Sequence, residues 1–165
     1  MARQKIDLKE LAKFLMRAKK NTYASMSSVE IKPERHLHKE LEFSDGKFYY
    51  RDSYVGFFQA PGMEEVRLGK SGKTIWTMAY SGGMKQKYSG DIDFAKQVFN
   101  FLKEALSQVN ENAPYRGPIK LKKGKWKYKN KIKGNIKRFS GKEKIFFNGK
   151  EVFSQEYIGG LVLDK

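Results

Sequence analysis

The strongest chemical signal in the chain is a run of lysines. Lys125, Lys127, Lys129, Lys131 and Lys133 take every odd position of one segment, with Trp126, Tyr128, Asn130 and Ile132 between them. In an extended strand alternate side chains point to opposite faces, so one face is expected to be cationic and the other mostly apolar. Lysines on one face then repeat at roughly 6.7 Å, a row able to track a phosphate backbone. The competing explanation is an edge strand whose lysines block aggregation. The aromatics of the run fall on the opposite, core-facing side, out of reach of bases. Tyr49, Tyr54 and Phe57 are the other candidates for stacking.

Other constellations carry less. His36, His38 and Glu40 would share one face of an extended segment, a pattern that can ligate a metal, but a solvated strand face explains it as well and no metal is expected. The stretch Leu68-Gly-Lys-Ser-Gly-Lys-Thr74 resembles the end of a phosphate-binding loop. It lacks a glycine at Arg67, and Ile75-Trp76-Thr77-Met78 reads as strand where that loop needs a helix. Asp52, Glu64, Glu65, Asp91 and Asp93 are the acids near the loops; Asp91 and Asp93 suit a helix start. No nucleophile elbow or Ser/His/Asp order is visible, and with no cysteine the chain has no thiolate chemistry. No catalytic residue and no cofactor is assigned.

Charge reinforces the lysine signal. The 165 residues carry a net +16. The 28 residues from Gly117 to Lys144 hold twelve Lys or Arg and one acid, Glu143, and so account for +11 of it. Such a local excess suits a polyanionic partner. Aromatics at 14% supply a core. No uninterrupted apolar stretch is long enough for a membrane helix, and the polar start Met1-Ala-Arg-Gln-Lys-Ile-Asp7 lacks the apolar segment of a secretory signal. The expectation is a cytoplasmic protein.

The elements that must hold these residues read as follows. Asp7 suits an N-cap, with Glu10 three residues on, and Leu8, Leu11, Ala12, Leu15 and Ala18 form one stripe up to about Asn21. Residues 24–35 read as loop with one short strand. From Leu41 the pattern is β, with a turn at Asp45-Gly46 and breaks at Gly56 and Pro61-Gly62. A second helix is expected over Asp91–Val109, then strands at Lys125–Lys133, Lys144–Phe147 and Lys150–Ile158, the last two joined by Asn148-Gly149.

The two β regions match each other. Gly46-Lys-Phe-Tyr-Tyr aligns with Gly124-Lys-Trp-Lys-Tyr, with four identities over residues 46–58. Gly72-Lys-Thr-Ile-Trp-Thr aligns with Gly149-Lys-Glu-Val-Phe-Ser, with five identities over residues 72–84 that include Tyr80/Tyr157. A helix with Phe-Leu precedes each. This predicts one α+β domain over residues 1–165, an antiparallel sheet with two helices packed on it. Duplicated α-then-β-meander units, about 6–84 and 91–162, would be related by a pseudo-twofold axis.

Phe14-Leu-Met-Arg-Ala-Lys-Lys-Asn-Thr-Tyr-Ala, Tyr50-Arg-Asp-Ser-Tyr-Val-Gly and Pro114-Tyr-Arg-Gly-Pro resemble an uncharacterised prokaryotic domain-of-unknown-function family, from about residue 8 to 162. The resemblance implies a domain found alone or behind helix-turn-helix regulators, and by association a sensing module; it implies no catalytic residues. The leading expectation is a non-enzymatic binding module whose lysine face takes nucleic acid or another polyanion. The alternatives are a small-molecule sensor or enzyme with a pocket between the repeats, around Trp76, Tyr80 and Tyr157, and a protein-interaction domain, for example a homodimer.

Overall fold

Asp7 opens the first helix by accepting hydrogen bonds from the Lys9 and Glu10 amides, two of the donors a helix start leaves unpaired. Glu10 does not complete the box; it pairs with Lys47 at 2.6 Å. The computed structural model describes residues 6–163, so most of the N-terminal reading lies outside the described residues. Helix α1 spans Leu8–Asn21. Strands β1 (Lys39–Asp45), β2 (Phe48–Tyr54), β3 (Gly62–Leu68) and β4 (Thr74–Met84) follow. After a short 3-10 turn at Gln86–Tyr88 come α2 (Ile92–Leu106), β5 (Lys120–Lys123), β6 (Trp126–Asn135), β7 (Arg138–Phe147) and β8 (Lys150–Leu161). No helix among the described residues is long and apolar enough to cross a membrane.

The eight strands form one antiparallel sheet in the order β1-β2-β3-β4-β8-β7-β6-β5. The order of the first half is thus mirrored in the second, and Tyr80 on β4 lies directly opposite Tyr157 on β8. Both helices cover the same face. Leu11, Phe14, Leu15 and Ala18 of α1 pack with Phe48, Tyr50 and Val66. Ala95, Val98 and Leu102 of α2 pack with Tyr128, Ile145 and Phe153. Each fully buried Leu or Phe contributes about 1.5–3 kcal/mol, which is what holds each helix down.

Several boundaries differ from expectation. The first hairpin turns on Gly46-Lys47, because Asp45 already pairs with Phe48. Strand β5 was not expected: Lys120-Leu-Lys-Lys shows one apolar residue, and pairing with β6 supplies what local propensity does not. Strand β7 begins at Arg138 rather than Lys144, since β6 and β8 satisfy its polar, glycine-containing start from both sides. Asn148 and Gly149 carry φ of 48° and 77° between the paired Phe147 and Lys150, the two-residue turn their types favour.

Candidate functional site

Register decides what the lysines build. Lys120 and Lys122 of β5 sit opposite Lys129 and Lys127 of β6, and Lys129 and Lys131 sit opposite Lys144 and Lys142 of β7. Directly opposed residues share a face, so these lysines and Lys133 cover the side of the sheet away from the helices. The row of the sequence is therefore a two-dimensional patch three strands wide. Lys142 is paired to Glu156 and Lys144 to Glu151, each at 2.7 Å. Among the described residues, Lys120, Lys122, Lys127, Lys129, Lys131 and Lys133 have no acidic partner. Neighbouring Lys129 first, then burial and Lys120, hold the Lys127 ammonium below the usual lysine range, the mark of crowded like charge. The Lys129 ammonium also lies 5.6 Å from the ring centroid of Phe146, an aromatic on this outer face.

The edge-protection explanation does not fit the first half of β6. Over residues 126–129 the strand is paired to β5 on one side and β7 on the other, so Lys127 and Lys129 guard no open edge; β5 ends opposite Lys129, and Lys131 and Lys133 lie beyond it, where β6 pairs with β7 alone. Lys125 departs from the row: it lies in the β5–β6 turn, next to Gly124.

The same face of the first half is neutral by contrast. Arg51 pairs with Glu40 and, at 2.7 Å, with Glu34; Arg67 pairs with Glu65. Burial opposes ionisation of Glu40, but bonds from the Glu34 amide, the Ser53 hydroxyl, Arg51 and the Arg35 amide outweigh it and hold the carboxyl low. Glu40 thus ties down the 31–38 loop. His36 and His38 lie in a turn of that loop rather than on a strand, and Glu40 is fully engaged, so the His-x-His-x-Glu set is not brought together. No group of three metal-ligating side chains exists among the described residues.

The helix-covered face carries a second polar cluster. Glu143, fully buried, accepts from Arg116 Nη2 at 2.6 Å, Tyr128 at 2.6 Å and Gln155 at 3.0 Å. Glu64 pairs with Lys19 and lies 3.9 Å from Arg116. Asp52 sits beside Glu64 across the β2–β3 pair and accepts from the Tyr80 hydroxyl at 2.7 Å. Burial first, then the Glu64 charge, push its carboxyl up to about 7. Across the sheet the Tyr157 hydroxyl donates to Asn130 at 2.7 Å, so the two tyrosine bonds correspond, one to an acid and one to an amide.

A cavity of about 260 Å³ opens onto Asp52 between α2 and the 54–60 loop. The loop can cross β4 only because Gly83 has no Cβ, which would collide with the Phe58 carbonyl oxygen. Of the expected pocket residues, Tyr80 lines this cavity. Trp76 does not: it is fully buried in the core, stacked 5.7 Å from Phe139. Tyr157 is buried, and meets Tyr80 at a separate open groove beside Lys131 and Ile158. Sequence reasoning gave neither Arg116 nor Glu143 a role in a site; the signal was that Glu143 is the one acid inside the basic segment, which must be matched if buried.

Residues 52–162 match the model of a family described as Domain of unknown function (DUF5680). The match starts within β2, later than the start near residue 8 that the resemblance suggested, and takes in the lysine patch and Asp52. No curated protein and no solved structure matches the chain. With more than half of its length matched, the chain belongs to the DUF5680 family.

Proposed function

We propose that the domain is a non-enzymatic binding module whose outer β5–β7 face holds the phosphate backbone of a nucleic acid. The observation that carries this reading is the six lysines without acidic partners, among the described residues, gathered on one face of β5 and β6, two of which, Lys127 and Lys129, lie where β6 is paired on both sides and edge protection gives no reason for them. Lysines about 6.7 Å apart along a strand, on strands about 4.8 Å apart, make a dense cationic lattice. With Phe146 the aromatic among them, recognition is of charge rather than of bases. This reading keeps the cytoplasmic location expected from the sequence, and with it the prokaryotic domain, alone or behind a helix-turn-helix regulator, that the resemblance implies.

The mirrored strand order, the Tyr80/Tyr157 pair at its centre and the corresponding Tyr80–Asp52 and Tyr157–Asn130 bonds support a duplicated origin for the two halves. On that reading the copies diverged: the first neutralised its outer face and kept an acid at position 52, while the second made its outer face cationic.

The test is fluorescence anisotropy of labelled single-stranded oligonucleotides at low salt. Wild-type protein binds oligonucleotides of unrelated sequence with similar affinity, and Lys127→Gln with Lys129→Gln weakens all of them alike. No binding at low salt refutes the proposal.

A further inference from the structure

The cavity above Asp52 is a built site that the lysine face does not use. Asp52 is 2% exposed, and its Oδ1 accepts from Tyr80; no second donor reaches the carboxylate among the described residues. Its counterpart Asn130 is satisfied instead, donating to the Gly117 carbonyl at 3.0 Å and accepting from Tyr157. A buried carboxylate with an unfilled acceptor that opens onto a cavity lacks a donor. The groups facing it are Lys19 from α1, Glu64 from β3, Tyr80 from β4 and Arg116 from the α2–β5 connection. Tyr50 and Tyr54, on its own strand, and Tyr23, beyond α1, are the further ionisable groups around it. Asp52, Glu64 and Glu143 outnumber Lys19 and Arg116, which favours a ligand that presents a hydrogen-bond donor rather than an acceptor or an anionic group to the floor.

The walls and mouth have a different chemistry. Tyr54, Phe57, Phe99 and Phe153 give the cavity an aromatic lining. Lys96, Phe99, Asn100 and Lys103 recur at helical spacing, so one stripe of α2 faces the cavity. Among the described residues Lys96 and Lys103 have no acidic partner, and Lys96 is exposed at the open side.

We propose that this cavity binds a small heteroaromatic anion, with a ring N–H donated to the Asp52 carboxylate and an acidic substituent held by Lys96 and Lys103. The acidic group is a phosphate or a carboxylate. Affinity rises about tenfold from pH 6 to pH 8, because a carboxyl titrating near 7 becomes the charged acceptor over that range.

Calorimetric titration of the full chain tests this with guanosine 5′-monophosphate for the phosphate source, indole-3-carboxylate for the carboxylate source, and guanosine and indole as their respective uncharged rings. At least one acidic probe binds saturably at pH 8, and which one binds identifies the acidic group. Asp52→Asn lowers that affinity at least tenfold at pH 8 and changes it little at pH 5.5. This variant should fold, since Asn130 already receives the equivalent tyrosine bond. Lys96→Gln with Lys103→Gln reduces the acidic probe to the affinity of its uncharged ring. No binding of any probe at millimolar concentration at pH 8, or binding indifferent to Asp52→Asn, overturns the proposal.

Discussion

Asp52→Asn should stabilise the fold at neutral pH, and by an amount the structure sets. Burial and the adjacent Glu64 raise the Asp52 carboxyl from 3.8 to about 7. A group whose folded pKa is raised binds its proton more tightly when folded than when unfolded. Its favourable contribution is therefore present below about pH 4 and lost as pH rises through 7. Three units at about 1.4 kcal/mol each amount to about 4 kcal/mol, an upper bound because the shift arises from a set of interacting buried charges rather than from Asp52 alone. Asparagine keeps the acceptor for Tyr80 and removes the titration. Urea unfolding of both proteins from pH 4 to pH 8.5 should show similar stability at the acid end. The variant should then gain progressively between pH 4 and 7, with a plateau above 8. Carbon NMR of the Asp52 carboxyl gives the titration directly. A carboxyl that titrates near 4, or a variant less stable than wild type at pH 8, refutes the reasoning.

Three further outcomes test the packing. Gly149→Ala should cost about 1 kcal/mol in urea unfolding, because φ of 77° suits glycine and nothing within 4 Å blocks the added methyl, leaving backbone strain as the cause. Trp126→Ala should cost about 3–5 kcal/mol by the same assay, since the indole packs on Phe101 and Phe147 at centroid distances of 5.5 and 4.5 Å. Glu143→Gln should cost about 3 kcal/mol and lower the melting temperature, because buried Arg116 loses its charged partner.

Much of this was legible in the sequence. The helices were marked by Asp7 and Asp91 as caps and by stripes at 3.6-residue spacing, and the Asn148-Gly149 turn by its own residue types. The alternation of residues 126–133 placed the lysines and aromatics on opposite faces correctly. What failed was context. Lys120-Leu-Lys-Lys has no strand signal of its own, so nothing local revealed that β5 pairs with the start of β6 and widens one lysine row into a patch. Trp76 reads equally well as a pocket wall or as core, and only the packing of Phe139 against it decides. The Asp52 site is assembled from β2, β3, β4 and the Arg116 connection, whose proximity depends on long-range pairing rather than on spacing.

The central claim is that the outer lysine patch binds a phosphate backbone, and its salt dependence tests that most directly. Anisotropy titrations of a labelled single-stranded oligonucleotide at several salt concentrations give the slope of log affinity against log salt. Four or five neutralised phosphates predict a slope of about −3. Replacing Lys127 and Lys129 with glutamine should flatten it by about one unit or more, with unfolding unchanged because side chains facing solvent contribute little to stability. Undetectable binding at low salt, or a slope that the two substitutions leave unaltered, would contradict the account.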